Sequence, residues 1–175
     1  MVLIYRVIGV VALAAATSIA CAQSPTATSR LRASAEQMAK ALVKRDYESV
    51  AARTHPRIIE KMGGKALFVE ISKIAFSTIP PFTDIRIGEP GPIVKLKQGV
   101  AAVVPYVMKM KIPEGTIVTE AIYVAWSPDH GVSWFFADSN VVYKPGGLDF
   151  LFPGYHDELA LPKQIPPILV KDEGA

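Results

Sequence analysis

The spacing of apolar residues changes once along this chain, near residue 82. Before that point, apolar residues recur every three or four positions, as they do on one face of a helix. After it, apolar and polar residues alternate in short runs that glycine and proline interrupt, as in strands joined by turns. The pattern therefore predicts an α+β protein, with helices first and an antiparallel sheet after them.

Two helices are predicted before residue 54. Ser34 with Gln37 three positions later forms a capping-box pattern, so we expect the first helix to begin near Ser34. Asp46 can cap a second helix over residues 47–53. The side chains that this second helix is expected to bury are Tyr47, Val50 and Ala51.

The sequence THPRIIEKMGG forms a corner between the second helix and a third. A residue before proline is disfavoured in helical conformation, so the second helix should end before His55. Pro56 suits the first turn of the third helix, over residues 57–62. A fourth helix is predicted over residues 65–78. Its expected buried stripe consists of Leu67, Phe68, Ile71, Ile74 and Ala75.

The strand pattern predicts a meander of short hairpins. The predicted strands cover residues 83–87, 93–97, 100–112, 116–126 and 132–137, and we expect residues 140–143 to continue the last one. Pro105 lies inside the longest strand and lacks a backbone donor, so it indicates a bulge or a sheet edge there. The proline-rich tail, residues 144–175, is expected to pack on the domain without regular structure. Phe150, Leu151 and Phe152 would hold it in place.

The N-terminal 22 residues have the features of a secretory signal peptide. Arg6 is followed by an apolar stretch and then by small residues around Cys21. Cleavage after Ala22 would export a soluble protein to the periplasm or the medium, whereas lipidation of Cys21 would give a membrane-anchored lipoprotein; both alternatives stay open. Residues 23–33 are expected to be a flexible lead-in, and residues 34–143 the folded domain.

Composition excludes several functional classes. The 175 residues are 50% hydrophobic and 20% charged, which excludes a disordered chain. The net charge of +3 comes from scattered residues, so no basic face for nucleic acid is predicted. The three histidines lie far apart and none has a neighbour at ligand spacing, so no metal site is predicted. Nucleotide-binding and hydrolase motifs are absent from the sequence, and no cofactor is predicted.

The order of elements resembles the nuclear transport factor 2-like (cystatin-like) superfamily. The resemblance rests on the helix pair at residues 35–53, the THPRIIEKMGG corner, the long helix after it and the closing strand VSWFFAD. The chain is also similar to exported bacterial members with such a corner and a proline-rich tail, here LALPKQIPPI. The resemblance implies a cone-shaped domain, over about residues 34–140, whose helices pack in the concave face of a curved sheet.

Enzymes of that superfamily place an acidic or histidine base in the cone cavity, often beside a tyrosine. In this chain Asp138 and His55 are the candidate bases. Each has a structural alternative, since Asp138 can cap the end of a strand and His55 can bond the neighbouring backbone at the corner. The residues that would line a ligand pocket are Tyr47, Tyr106, Tyr123, Trp126, Trp134 and Phe136.

Three functions follow as hypotheses, since fold analogy does not choose among them. The favoured one is a non-enzymatic module that binds a small apolar ligand or a protein partner in the cavity or on the sheet. The second is a cavity enzyme of the isomerase or dehydratase type. The third is a module that forms a homodimer through an exposed apolar sheet face.

Overall fold

The computed structural model describes residues 26–154 and 159–171, so the predicted signal peptide and Cys21 lie outside the described residues. Within the described part, the chain forms an α+β fold with N-terminal helices and an open antiparallel sheet of six strands. The first four helices are α1 (Ala27–Val43), α2 (Tyr47–Arg53), α3 (Pro56–Lys61) and α4 (Lys65–Ser77).

Helix α1 begins at Ala27, so the predicted start near Ser34 was wrong, as was a flexible lead-in extending to residue 33. The Thr26 hydroxyl caps α1 by accepting a 3.2 Å hydrogen bond from the Ser29 amide. Leu31 is fully buried in the first turns. A Cβ placed on Gly131 would lie 2.5 Å from that of Ala27, so the chain around Gly131 packs closely on this end of α1. Tertiary packing therefore extends the helix beyond the capping box.

Helices α2 and α3 confirm their predictions. Asp46 caps α2 by accepting from the Ser49 amide, and the predicted side chains are the ones α2 buries. Pro56 occupies the first turn of α3, and the His55 imidazole Nδ1 accepts from the Arg57 amide at 3.3 Å. The structural interpretation of His55 at the corner is thus confirmed.

Helix α4 confirms the predicted bounds to one residue, but most of its predicted buried stripe was wrong. It buries Phe68, Val69 and Ser72, whereas Leu67 is 44% exposed and Ile74 is 71% exposed. Apolar residues occur around most of this helix, so periodicity alone does not select the face that is buried. Packing against α2 selects it.

The strands are β1 (Phe82–Ile87), β2 (Val94–Lys95), β3 (Val100–Ile112), β4 (Gly115–Ser127), β5 (Phe135–Asp138) and β6 (Ile168–Val170). Strands β3 and β4 form a long central hairpin. The outer edge of β3 pairs with β1 and β2, and the outer edge of β4 pairs with β5 and β6. Each of these pairings is antiparallel, as predicted, but the meander is incomplete because β1 pairs with β3 and not with β2.

Pro105 lies at a local edge of the sheet, which confirms one of the two predicted explanations. Its register with Ile122 of β4 is unbroken, so β3 has no bulge there. On the other side β1 ends at Ile87, and the Pro105 carbonyl accepts from the Gly88 amide at 2.8 Å. Because proline has no backbone N–H, this position cannot donate to a neighbouring strand, and β1 ends where such a bond would otherwise form.

Two predictions for the last strand were wrong. Strand β5 begins at Phe135 because the Asp129 carboxylate accepts from the amides of Val132 and Ser133 and extends the preceding turn. Val132 is exposed as a result. Residues after β5 do not continue it but form the short helix α5 (Ser139–Val142), which Asp138 caps through the Asn140 amide at 2.8 Å.

The two faces of the sheet pack against different parts of the chain. Helices α1, α2 and α4 pack with side chains of β3 and β4 on one face, which includes Ala102, Val104 and Tyr123. On the other face the C-terminal segment covers Ala101, Ile122 and Val124. This segment was predicted to lack regular structure, yet it forms α6 (Gly147–Leu151) and β6 because burial and strand pairing order it.

The predicted anchors of the C-terminal segment behave as expected. Leu151 and Phe152 are buried, and Phe150 is partly buried against them. Within residues 26–154 and 159–171, no helix has both the length and the apolar character needed to cross a bilayer.

The corner between α2 and α3 attaches the helices to the edge of the sheet. The His55 amide donates to the Phe136 carbonyl at 2.9 Å, and Thr54 forms a parallel bridge with Phe136. Because the corner is extended here, the side chains of Thr54 and His55 point to opposite sides.

We predict that the first turns of α1 contribute strongly to stability. Replacing fully buried Leu31 with alanine should lower the free energy of unfolding by about 2–5 kcal/mol, because the cavity cost adds to the lost transfer energy. Leu67→Ala on the exposed face of α4 is the matched control and should change it by about 0.5 kcal/mol or less. Urea unfolding followed by circular dichroism measures both. Equal effects of the two variants would contradict the described packing.

Candidate functional site

A cavity of about 460 Å³ lies between the helices and the sheet, and we call it the helix–sheet cavity. Most of its lining is apolar, including Met38 and Phe68 from the helices and Met108 and Met110 from β3. Its size and its apolar lining are those of sites for small organic molecules.

Three polar side chains on neighbouring strands line one wall of the helix–sheet cavity. Tyr106 of β3 donates from its hydroxyl to Asp138 Oδ2 at 2.5 Å. Tyr123 of β4 is the cross-strand partner of Asp138, and its ring stacks on that of Tyr106 with centroids 4.3 Å apart. The alternation of side chains along each strand places all three on the helix-facing side.

Asp138 is held by three hydrogen bonds. In addition to the Tyr106 hydroxyl, its carboxylate accepts from the Asn140 amide at 2.8 Å and from the Ser139 hydroxyl at 3.3 Å. The predicted structural role of Asp138 at the end of the strand is therefore confirmed. Its carboxylate also remains part of the cavity wall.

The Tyr123 hydroxyl is the unusual group of this wall. The residue is only 2% exposed, and its hydroxyl has no hydrogen-bond partner among the residues that the structure describes. Burial raises the pKa of Tyr123, and the nearby Asp138 carboxylate raises it further. The same two causes, burial first, raise the pKa of Tyr106. Both phenols are therefore protonated at neutral pH, and only that of Tyr123 has a proton to offer.

His55 lies in a different cavity, of about 190 Å³, which we call the corner cavity. Its ring contacts Trp126, with centroids 5.0 Å apart, and meets Phe152 edge-on at 5.5 Å. Burial lowers the pKa of His55 to about 4, and the Arg57 charge adds to this effect. The two candidate bases, His55 and Asp138, are thus not brought together.

The predicted pocket residues divide into three groups. Tyr106, Tyr123 and Phe136 line the helix–sheet cavity, and Trp126 lines the corner cavity. Tyr47 and Trp134 are buried in the core and line neither of these two cavities.

Sequence reasoning missed the residues with which the helices line the helix–sheet cavity. It also missed the basic residues of the corner cavity, Arg57 and Lys97. The helical lining residues carried a signal, because Phe68 belongs to the buried stripe predicted for the fourth helix and Met38 recurs with apolar neighbours at helical spacing. Nothing in the sequence indicates that Lys97 lines a cavity, because it is a single charge at the end of the strand predicted over residues 93–97.

We predict different costs for removing the two stacked hydroxyls. Tyr106→Phe should lower the free energy of unfolding by about 1–3 kcal/mol, because Asp138 Oδ2 loses its donor. Tyr123→Phe should change it by less than about 0.5 kcal/mol or stabilise the fold, because an unpaired buried hydroxyl is removed. Urea unfolding of both variants measures this, and a large cost for Tyr123→Phe would show that its hydroxyl is paired.

We also predict that His55 makes stability depend on pH. Its ordinary pKa is 6.5 and its folded value is about 4. Between these values the unfolded chain binds a proton that the folded chain does not. The free energy of unfolding is therefore unaffected by the titration of His55 above pH 6.5. It decreases as the pH falls towards 4, by up to about 3 kcal/mol.

His55→Asn is the matched variant for this test, because asparagine is also a favourable N-cap residue. Urea unfolding at pH 7.5 and pH 4.5 should show a smaller loss for the variant than for the wild type. The same loss in both would mean that His55 titrates normally in the folded protein.

Comparison with known proteins does not add a functional assignment to this geometry. No protein-family model matches the chain, and no curated protein is significantly similar to it. Among residues 26–154 and 159–171, no group of three or more histidine, cysteine or acidic side chains is placed to hold a metal ion.

Proposed function

We propose that this protein binds a small, mainly apolar molecule in the helix–sheet cavity, and that the ligand carries one hydrogen-bond acceptor. The observation behind this proposal is the Tyr123 hydroxyl, which is buried and has no partner among the described residues, and which belongs to a residue that lines a largely apolar cavity. An unpaired buried hydroxyl costs about 1–3 kcal/mol. A ligand whose acceptor reaches it would recover much of that cost.

The chemistry of the cavity limits the class of ligand. Methionine and phenylalanine side chains favour an apolar or aromatic body, and methionine adapts readily to its shape. The Tyr123 phenol stays protonated, so it offers a donor to a carbonyl, ether or hydroxyl oxygen. A carboxylate is disfavoured, because the Asp138 carboxylate is close enough to raise the pKa of Tyr123 and would repel a second negative charge.

A second candidate function is acid–base catalysis on a carbonyl compound. The observation that favours it is the neighbouring pair of a carboxylate, Asp138, and a protonated phenol, Tyr123, on the cavity wall. The carboxylate would take an α-proton while the phenol donates to the enolate oxygen that forms. We place this second because both oxygens of Asp138 already accept hydrogen bonds within the fold.

Three sequence-based predictions accompany this function as proposals. The cavity between helices and sheet supports membership of the nuclear transport factor 2-like superfamily, whose members enclose such a space. Export by the predicted signal peptide would place the protein in the cell envelope, soluble or lipidated at Cys21. Self-association stays a proposal; the large exposed apolar side chains of the described residues lie on α4, on strand β6 of the sheet, and in turns and loops.

We predict that the cavity distinguishes a ketone from a hydrocarbon of the same shape. The probes are 2-acetylnaphthalene and 2-isopropenylnaphthalene, which differ in one carbonyl oxygen. Wild-type protein should bind the ketone about tenfold more tightly, because the Tyr123 hydroxyl gains an acceptor. In Tyr123→Phe this preference should disappear while the hydrocarbon binds as before. Isothermal titration calorimetry measures both dissociation constants.

Tyr143→Phe is the matched control, since its hydroxyl donates to the Pro162 carbonyl outside the helix–sheet cavity. This variant should keep the tenfold preference. Failure of either probe to bind wild-type protein would contradict the proposed function. The catalytic alternative requires that wild-type protein accelerates exchange of the ketone's methyl protons with D₂O, measured by NMR, and that Asp138→Asn abolishes the acceleration.

A further inference from the structure

The corner cavity is separated from the helix–sheet cavity by the edge of the sheet itself. The two side chains at the corner show this division, because Thr54 lines the helix–sheet cavity and His55 lines the corner cavity. Their connecting backbone is fixed by the hydrogen bond from the His55 amide to Phe136. A molecule bound at His55 would therefore occupy a site distinct from the one proposed above.

The hydrogen bonds of His55 determine which of its ring nitrogens carries the proton. Nδ1 accepts from the Arg57 amide, so the proton of the neutral imidazole is on Nε2. His55 is only 2% exposed, and its Nε2 has no partner among the residues that the structure describes. The corner cavity is thus lined by a residue whose buried N–H donor lacks an acceptor among the described residues, and such groups are rare in folded proteins.

The walls around His55 are flat and apolar. The rings of Trp126 and Phe152 both contact the imidazole. The Trp126 indole N–H is already used, because it donates to the Gln98 carbonyl at 2.6 Å. The surroundings therefore favour a planar molecule, whose acceptor would face His55.

The charges at this cavity are positive. Arg57 and Lys97 are exposed residues that line it, and its described lining residues include no aspartate or glutamate. Arg57 donates from Nη1 to the Phe150 carbonyl at 3.3 Å, and its guanidinium carries further N–H donors that can reach a ligand. A buried donor with two cations nearby is complementary to an anion with several acceptor oxygens.

We propose that the corner cavity binds a small planar organic anion, such as an aromatic carboxylate. One carboxylate oxygen accepts from His55 Nε2, and Arg57 and Lys97 balance the negative charge. The apolar part of the anion lies against Trp126 and Phe152. This second site takes charged ligands, whereas the helix–sheet cavity takes uncharged ones.

The test is calorimetric titration of the chain that starts at Gln23, the predicted product of cleavage after Ala22. The titrations use benzoate and benzamide, its neutral analogue, at pH 7.5. We expect benzoate to bind with one-to-one stoichiometry and benzamide to bind about tenfold more weakly. His55→Asn should weaken benzoate binding about tenfold, because it keeps the cap of α3 but removes the Nε2 donor. Arg57→Gln and Lys97→Gln should each weaken it about threefold, as expected for exposed charges.

Two controls locate the site. Lys73→Gln, on the exposed side of α4, removes a charge that does not line the corner cavity and should leave benzoate affinity unchanged. Tyr123→Phe, which alters the helix–sheet cavity, should also leave it unchanged, so that failure of this proposal is distinguishable from failure of the proposed function. Nitrogen-15 NMR should show a shift of His55 Nε2 on benzoate addition. No binding of benzoate, or equal binding by wild type and His55→Asn, would overturn the proposal.

Discussion

The backbone hydrogen bond from His55 to Phe136 is the contact on which the arrangement of both cavities depends. It pairs the extended corner between α2 and α3 with the otherwise open edge of β5. An open edge exposes unpaired backbone groups, and the corner covers part of this one. The same bond helps to fix the position of the helices relative to the sheet. It therefore helps to determine where the helical lining of the helix–sheet cavity lies.

Both proposals rest on buried polar groups that the fold leaves unpaired. Three such atoms occur in the described part of the chain: His55 Nε2, Tyr123 Oη and Trp134 Nε1. The first two belong to residues that line cavities, whereas Trp134 packs in the core. Since the cost of an unpaired buried donor is a substantial fraction of the stability of a small domain, a ligand is a reasonable explanation where space adjoins the donor. No such explanation applies to Trp134.

Much of the fold could be predicted from the sequence because local signals and tertiary packing agree. Asp46 and Pro56 mark helix starts by their own chemistry, and the alternation along β3 and β4 sets which side chains face the helices. The start of α1 and the buried face of α4 could not be predicted. In α1 the capping-box pattern at Ser34 is a stronger local signal than the true start at Ala27. In α4 apolar residues occur around the helix, so packing against α2 determines which face is buried.

The candidate site was predictable only where strand periodicity determines it. Asp138 and Phe136 are two residues apart on one strand, so alternation alone places them on the same face, and the predicted pocket residues Tyr106 and Tyr123 lie beside Asp138 on neighbouring strands. The separation of His55 from Asp138 did not follow, because it depends on the corner pairing with β5 as an extended segment. The opposite orientations of the Thr54 and His55 side chains can be expected only once that pairing is known.

A crystal structure of the protein with 2-acetylnaphthalene would show directly whether the ketone binds at Tyr123. We expect the naphthalene ring between the helices and β3, with its carbonyl oxygen within hydrogen-bond distance of the Tyr123 hydroxyl and with the Tyr106–Asp138 bond intact. A ligand bound elsewhere, or a Tyr123 hydroxyl paired with another group of the protein, would contradict this expectation.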